Sequence, residues 1–150
     1  MNKVEKRLLI VEDDDSLYEA MVITFEQEIQ NRQAELDGAN ISIVDIRARN
    51  LYEAKLELND SNPDVVSVDM QFPKRQGEIP ERDAGAELLA HIKRHWPEMP
   101  TILYSSSEAQ QINRFLANHD VQGFAKLIMK FPIRGHGEWA KNCLDRLITA

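Results

Sequence analysis

Five short apolar segments recur along the chain and alternate with segments of helical periodicity. Three of them are almost entirely apolar, which is typical of parallel strands buried on both faces: residues 8–11 (LLIV), 65–68 (VVSV) and 101–104 (TILY). The other two contain more polar residues, as strands at a sheet edge do: residues 41–46 (ISIVDI) and 123–129 (GFAKLIM). The pattern therefore predicts three central strands and two edge strands.

The segments between the strands place apolar residues three or four positions apart, as amphipathic helices do. The first such face consists of Leu17, Met21, Phe25 and Ile29, and similar faces follow the later strands. Strands that alternate with helices form parallel sheets with right-handed crossovers. We therefore predict an α/β fold: a doubly wound sheet of five parallel strands in the order 2-1-3-4-5, with helices on both faces.

Two segments exceed what a minimal α/β unit needs. The polar stretch EQEIQNRQAELDGAN (residues 26–40) continues the first helical pattern and predicts a longer helix there. The segment KRQGEIPERDA (residues 74–84) contains Gly and Pro, and it predicts a long loop after the third strand.

The length of 150 residues suits one compact domain with its own core, so we predict a single domain over residues 1–150. The formal net charge of -7 argues against direct nucleic-acid binding, because such surfaces are rich in Lys and Arg. The N-terminal sequence lacks a secretory signal, and no apolar run approaches the roughly 20 residues of a membrane span. The single cysteine, Cys143, has no partner for an internal disulfide. These features predict a cytoplasmic protein that contacts no membrane.

Polar side chains stand where four of the five predicted strands end. They are Glu12 and Asp13 after the first strand, Asp69 after the third, Ser105 after the fourth and Lys130 after the fifth. The carboxyl ends of parallel strands meet at one edge of the sheet, which is where doubly wound sheets bind ligands. The first and third strands are neighbours in the predicted order, so we expect the three carboxylates to lie close together.

Three carboxylates about 5 Å apart repel each other by roughly 3 kcal/mol per pair at an effective dielectric constant of about 20. Mg²⁺ would offset this charge, since it takes oxygen ligands from one or two carboxylates and leaves room for a phosphate oxygen. Lys130 adds a second cation and Ser105 a hydroxyl. Taken singly, these groups have ordinary structural explanations. The segment EDDDS (residues 12–16) could cap the first helix through Asp14, Asp15 or Ser16, and Lys130 could be a solvated surface lysine. The combination favours phosphoryl transfer onto an aspartate.

The ordered set of motifs resembles the receiver domains of bacterial two-component response regulators over essentially the whole chain. The motifs are LLIVEDD (8–14), PDVVSVDMQFP (63–73), GAELLAHI (85–92), PTILYSS (100–106) and GFAKLIMK (123–130). The family has a flavodoxin-like fold, which agrees with the strand order predicted above.

The resemblance implies that Asp69 accepts a phosphoryl group from a phosphohistidine on a sensor histidine kinase or a histidine phosphotransfer protein. Lys130 would pair with the phosphate, and Ser105 would turn toward it as the switch hydroxyl. Such a protein catalyses its own phosphorylation and slow dephosphorylation, so we expect a signalling switch and not a turnover enzyme. The signal would pass to a downstream protein partner through protein contacts.

The resemblance also implies a magnesium cofactor. Asp13, Asp69 and the backbone carbonyl of Gln71 would be the ligands of Mg²⁺, and Glu12 would act through water. A phosphatase of the haloacid-dehalogenase type is a competing hypothesis, but it needs a second Asp two residues after the nucleophile. Gln71 occupies that position and disfavours it.

Three features depart from the family pattern. Leu127 stands three residues before Lys130, where receivers usually carry a Tyr or Phe that reports phosphorylation. Phe131 precedes Pro132 after Lys130, whereas the family usually has Pro directly after the Lys. The loop at residues 74–84 is longer than usual, so partner choice could lie there. These departures keep open a pseudo-receiver, an interaction module that works without phosphorylation.

Other features contribute less to the functional prediction. His91 and His95 share a helix face, but no third metal ligand accompanies them, so an exposed surface is expected. His119 and His136 are expected in loops or at helix ends. We expect no output domain within residues 1–150, which fits either a stand-alone receiver or the front part of a longer regulator. The sequence also leaves open whether phosphorylation drives formation of a homodimer.

Overall fold

A computed structural model describes residues 2–130 and 135–150. Its centre is a five-stranded parallel sheet in the order β2-β1-β3-β4-β5. The strands are β1 (Val4–Val11), β2 (Ile41–Ala48), β3 (Val65–Val68), β4 (Thr101–Ser105) and β5 (Lys126–Met129). The helices are α1 (Asp15–Asn31), α2 (Gln33–Gly38), α3 (Leu51–Asp60), α4 (Ala84–His95), α5 (Ala109–Asn118) and α6 (Gly135–Thr149). The predicted fold class and strand order are confirmed.

Each face of the sheet has its own apolar core. Successive residues of a strand point to opposite faces, so neighbours in the chain belong to different cores. On the face covered by α3, α4 and α5, the core includes Val66 and Val68. On the face covered by α1 and α6, it includes Tyr104, Trp139 and Cys143. All four residues of β3 are buried, as a central strand requires.

Local backbone features set the element boundaries. The Asp14 side chain caps α1 by accepting a hydrogen bond from the N–H of Leu17 at 3.0 Å. Arg32 has φ -116° and ψ 21°, which ends α1 and separates it from the short helix α2. The prediction of one longer helix is therefore correct only as far as Asn31. The fifth strand begins three residues later than predicted, because Gly123, at φ +74°, lies in a turn.

The segment that follows β3 is held at its base by backbone hydrogen bonds. The N–H of Glu81 donates to the carbonyl oxygen of Phe72 at 3.1 Å, which closes an isolated antiparallel bridge. The carbonyl oxygen of Pro73 accepts from the N–H of Leu51 at 3.0 Å, so the loop also joins the start of α3. Ile79 is 85% exposed near the loop tip. The long loop predicted after the third strand is therefore present at the carboxyl edge of the sheet, and hydrogen bonds hold its base.

No helix among residues 2–130 and 135–150 is both long and apolar enough to cross a membrane.

Candidate functional site

Three carboxylates meet where β1 and β3 end. Val11 pairs with Val68 in the parallel register, so the residues that follow these strands emerge side by side. Glu12, Asp13 and Asp69 each contribute one carboxylate oxygen to a group of atoms that all lie within 4.8 Å of one another. The structure therefore brings together the three acids that the sequence analysis singled out.

Lys130 bridges two of these acids from the end of β5. Its Nζ lies 3.0 Å from Oε1 of Glu12 and 3.1 Å from Oδ2 of Asp69. Its backbone N–H donates to the carbonyl oxygen of Ser105 at 2.9 Å, which fixes the end of β5 against β4. Burial disfavours the ammonium, but the two carboxylates outweigh this and raise the pKa of Lys130. The lysine is therefore a permanent cation of the site at neutral pH.

The acids carry more negative charge than one lysine can neutralise. Burial raises the pKa of Asp69 to about 7, with Lys130 opposing this shift and Glu12 adding to it. Burial, followed by the charge of Glu12, also raises the pKa of Asp13. Oδ1 of Asp69 accepts a hydrogen bond from the N–H of Met70 at 2.7 Å, which fixes the carboxylate plane. The cluster therefore favours uptake of a proton or of a second cation.

The cluster opens onto a cavity of about 250 Å³ at the carboxyl edge of the sheet. Asp13, Asp69 and Lys130 line it together with Gln71. Pro80, from the long loop, forms part of the wall. The side chain of Asp69 is 13% exposed, so a small phosphorylated donor group can reach it from this opening. The cavity is therefore lined by the acidic cluster, by the buried cation and by the long loop at residues 74–84.

The two predicted switch residues lie outside the lining of this cavity. Ser105 is fully buried at the end of β4, and its Oγ accepts a hydrogen bond from the N–H of Ser107 at 3.1 Å. Ser106 and Ser107 line the cavity instead. Leu127 is half-buried and packs against the core beneath α3, α4 and α5. The switching roles of Ser105 and Leu127 stay predictions.

The predicted departure at Phe131 and Pro132, directly after Lys130, lies outside the described residues.

Two residues beside the site were not predicted from the sequence: Arg47, which contacts Glu12, and Tyr104, which lies near Lys130. Arg47 donates from Nε to the carbonyl oxygen of Glu12 at 3.1 Å, and its Nη1 pairs with Asp15 at 2.7 Å. The Nζ of Lys130 lies 5.5 Å from the centroid of the Tyr104 ring. A tyrosine inside a buried strand needs a partner for its hydroxyl, and this was the one available signal for Tyr104. Nothing in the sequence distinguishes Arg47 from other edge-strand arginines.

No family model and no curated protein sequence matches the chain. Solved structures do match it. A CheY-like response regulator receiver domain protein from Methanospirillum hungatei aligns with a TM-score of 0.66 and 19% identity, over 96% of this chain and 94% of that chain. The non-phosphorylated HemR receiver domain from Leptospira biflexa aligns with a TM-score of 0.63 and 21% identity, over 97% and 95%.

A third structure gives the same result. The receiver domain of a Francisella response regulator aligns with a TM-score of 0.62 and 18% identity, over 94% of this chain and 98% of that chain. The chain therefore has the fold of a response regulator receiver domain. The resemblance inferred from the motifs is confirmed at the level of the fold.

Proposed function

We propose that the protein is a phosphorylation-dependent signalling switch in which Asp69 accepts a phosphoryl group from a phosphohistidine. The observation that carries the proposal is the position of Asp69. Its carboxylate faces a cavity at the end of β3, 3.1 Å from the buried ammonium of Lys130 and within 4.8 Å of two further acids. A nucleophilic carboxylate beside fixed positive charge is the arrangement that phosphoryl transfer needs.

The transfer exchanges one bond to phosphorus for another. A carboxylate oxygen of Asp69 attacks the phosphorus atom, and an oxygen–phosphorus bond forms as the bond between phosphorus and the imidazole nitrogen breaks. The imidazole leaves with the electron pair and takes up a proton. Lys130 lies beside Oδ2 of Asp69, where it attracts the oxygens of the incoming group. The acceptor reacts in its ionised form, which burial disfavours and the charge of Lys130 favours.

The donor atoms of the site fit Mg²⁺, because carboxylate oxygens are the ligands that this ion prefers. Asp13, Asp69 and the backbone carbonyl of Gln71 would hold the ion, and Glu12 would act through water. When bound, Mg²⁺ offsets the charge of the carboxylates and of the phosphoryl oxygens. Lys130, whose Nζ lies 3.0 Å from Oε1 of Glu12, would supply further positive charge.

The partners follow from the same chemistry. A sensor histidine kinase or a histidine phosphotransfer protein would supply the phosphoryl group in the cytoplasm, and a downstream protein would read the modified surface. The long loop at residues 74–84 supports a role in choosing these partners, since Pro80 lines the acceptor cavity and Ile79 is exposed beside it. Exchange of this loop for a short turn should alter partner binding and leave phosphorylation of Asp69 intact. Unchanged partner binding would contradict the role of the loop.

Intact mass after incubation with acetyl phosphate tests the proposed function directly. The wild type should gain one phosphoryl group in a Mg²⁺-dependent manner, and Asp69→Asn should gain none. Asp60→Asn is the matched control, because Asp60 is an exposed carboxylate at the end of α3, and it should behave as the wild type does. A folded wild type that gains no phosphoryl group would favour the pseudo-receiver instead.

A further inference from the structure

An aromatic cluster connects Lys130 to the start of α6, on the face of the sheet opposite Leu127. It consists of Tyr104, His136 and Trp139 and is called the Tyr104 cluster below. The Tyr104 hydroxyl is hydrogen-bonded to Nδ1 of His136. The Tyr104 ring stacks on Trp139, with 5.7 Å between the ring centroids and an angle of 23° between the planes. One ring therefore contacts α6 through two of its side chains.

Two of the three rings are buried, and the cluster is held at both ends. Tyr104 is 1% exposed and Trp139 is 0% exposed, so neither ring can turn without displacing its neighbours. Nε1 of Trp139 donates to Oγ of Ser67 at 2.7 Å, which ties α6 to the central strand β3. At the other end, Lys130 places its ammonium 5.5 Å from the Tyr104 ring centroid. The cluster thus forms a continuous packed path from the site cation to α6.

The position of the ammonium depends on the charge at Asp69. Lys130 is shared between Glu12 and Asp69 at nearly equal distances, 3.0 and 3.1 Å. A phosphoryl group on Asp69 adds negative charge and acceptor oxygens on the cavity side, which draws the ammonium toward them. An ammonium near a tyrosine face is attracted to the ring, so its displacement changes the force that holds Tyr104.

We propose that Tyr104 reports the phosphorylation state of Asp69, by coupling the position of Lys130 to His136 and Trp139 in α6. Tyr104 acts through Lys130, so it is a positioning residue and not a catalytic one. Leu127, at the position where receivers usually carry an aromatic switch residue, has no polar group and packs on the other face. The inference rests on the proposed function, since it requires phosphorylation of Asp69.

Trp139 provides a direct readout of this coupling. The chain has two tryptophans, so Trp96→Phe leaves Trp139 as the single emitter. In this background, phosphorylation by acetyl phosphate with Mg²⁺ should change the emission of Trp139. Intact mass should show that Tyr104→Leu still gains the phosphoryl group, but this variant should lose the phosphorylation-dependent change in emission. Leu127→Ala, the matched control on the opposite face, should keep it.

Tyr104→Phe separates the ring from the hydroxyl. It keeps the ring in the core, so the protein should fold even where the Leu variant does not. It loses the hydrogen bond to His136, and a partial loss of the emission change is expected. Phosphorylation should also change the amide hydrogen exchange of α6 in the same samples. This change should be largest in the wild type, smaller in the Phe variant and smallest in the Leu variant.

The outcomes distinguish the inference from the proposed function. Phosphoryl uptake by the single-tryptophan protein with unchanged Trp139 emission would overturn the role of the Tyr104 cluster and leave the proposed function intact. A full response in Tyr104→Phe and Tyr104→Leu would do the same. Absence of phosphoryl uptake by the wild type would overturn both.

Discussion

The two faces of the sheet differ in how they support the end of β5. On the face of α3, α4 and α5, Leu127 is half-buried among apolar side chains. On the face of α1 and α6, the rings of Tyr104 and Trp139 stack on each other. The Tyr104 hydroxyl is also hydrogen-bonded to His136, and Trp139 donates to Ser67. Aliphatic packing constrains volume, whereas stacked rings with hydrogen-bonded edges also fix orientation. Specific geometry beside the acceptor is therefore concentrated on the α6 side.

The largest difference between the faces is expected from truncation of their central side chains. Trp139→Ala should lower the free energy of unfolding by about 4 kcal/mol, because it leaves a large cavity and deprives Ser67 of its donor. Leu127→Ala should cost about 1 kcal/mol, since Leu127 is only half-buried. Urea unfolding followed by circular dichroism measures both values. Equal losses of unfolding free energy in the two variants would show that the two faces do not differ in how strongly they stabilise the fold.

On each face, a helix glycine packs closely against the backbone of a site residue. A Cβ added to Gly85 in α4 would lie 2.2 Å from the carbonyl oxygen of Asp69. A Cβ added to Gly135 in α6 would lie 2.7 Å from the carbonyl oxygen of Lys130. We expect Gly85→Ala to lower the free energy of unfolding by about 3 kcal/mol and Gly135→Ala by about 2 kcal/mol, since backbone must move in both cases.

Gly137 supplies the control for this pair, because a Cβ at this position meets nothing within 4 Å. Gly137→Ala should leave the free energy of unfolding unchanged or raise it by up to about 1 kcal/mol. Urea unfolding of the three alanine variants gives the order. A Gly135 variant less stable than the Gly85 variant would show that α6 lies against its strand end more rigidly than α4 does.

The sequence predicts the aliphatic parts of this structure better than the aromatic contacts. Runs such as residues 65–68 identify buried strands because hydrophobic periodicity follows directly from burial. The acid cluster follows as well, since strand order alone places Glu12 beside Asp69. The strand order does not predict that Tyr104 reaches His136, because this contact depends on the side-chain directions of β4 and on where α6 begins. The break at Arg32 likewise depends on local backbone angles.

Asp69 lies between the two faces, and its titration should make stability depend on pH. Its ordinary pKa of 3.8 applies to the unfolded chain, and burial raises the pKa in the folded protein to about 7. Between these values the folded state binds the proton more tightly, so this group makes stability fall as the pH rises from about 4 to about 7. Without Mg²⁺, Asp69→Asn should therefore be more stable than the wild type at pH 8, by roughly 2 to 4 kcal/mol, the upper figure being the full shift at about 1.4 kcal/mol per pKa unit.

Urea unfolding at several pH values checks this prediction. The advantage of Asp69→Asn should shrink as the pH falls through 7 and should disappear below about 4, where the wild-type carboxyl is neutral in both states. Asp60→Asn should show no such advantage, because Asp60 is exposed. An advantage of Asp69→Asn that does not depend on pH would mean that its cause is packing and not charge.

The smallest effect is expected where the aromatic residue usual in receivers is restored. Leu127→Phe should change the free energy of unfolding by no more than about 0.5 kcal/mol, because a half-buried site lets the larger ring extend toward solvent. It should also leave the phosphorylation-dependent emission of Trp139 unchanged, since the Tyr104 cluster lies on the other face. The decisive comparison combines Leu127→Phe with Tyr104→Leu. If the double variant regains the response in α6 that the single Tyr104→Leu variant lacks, either face can carry the signal, and the asymmetry reflects only which face holds the aromatic ring.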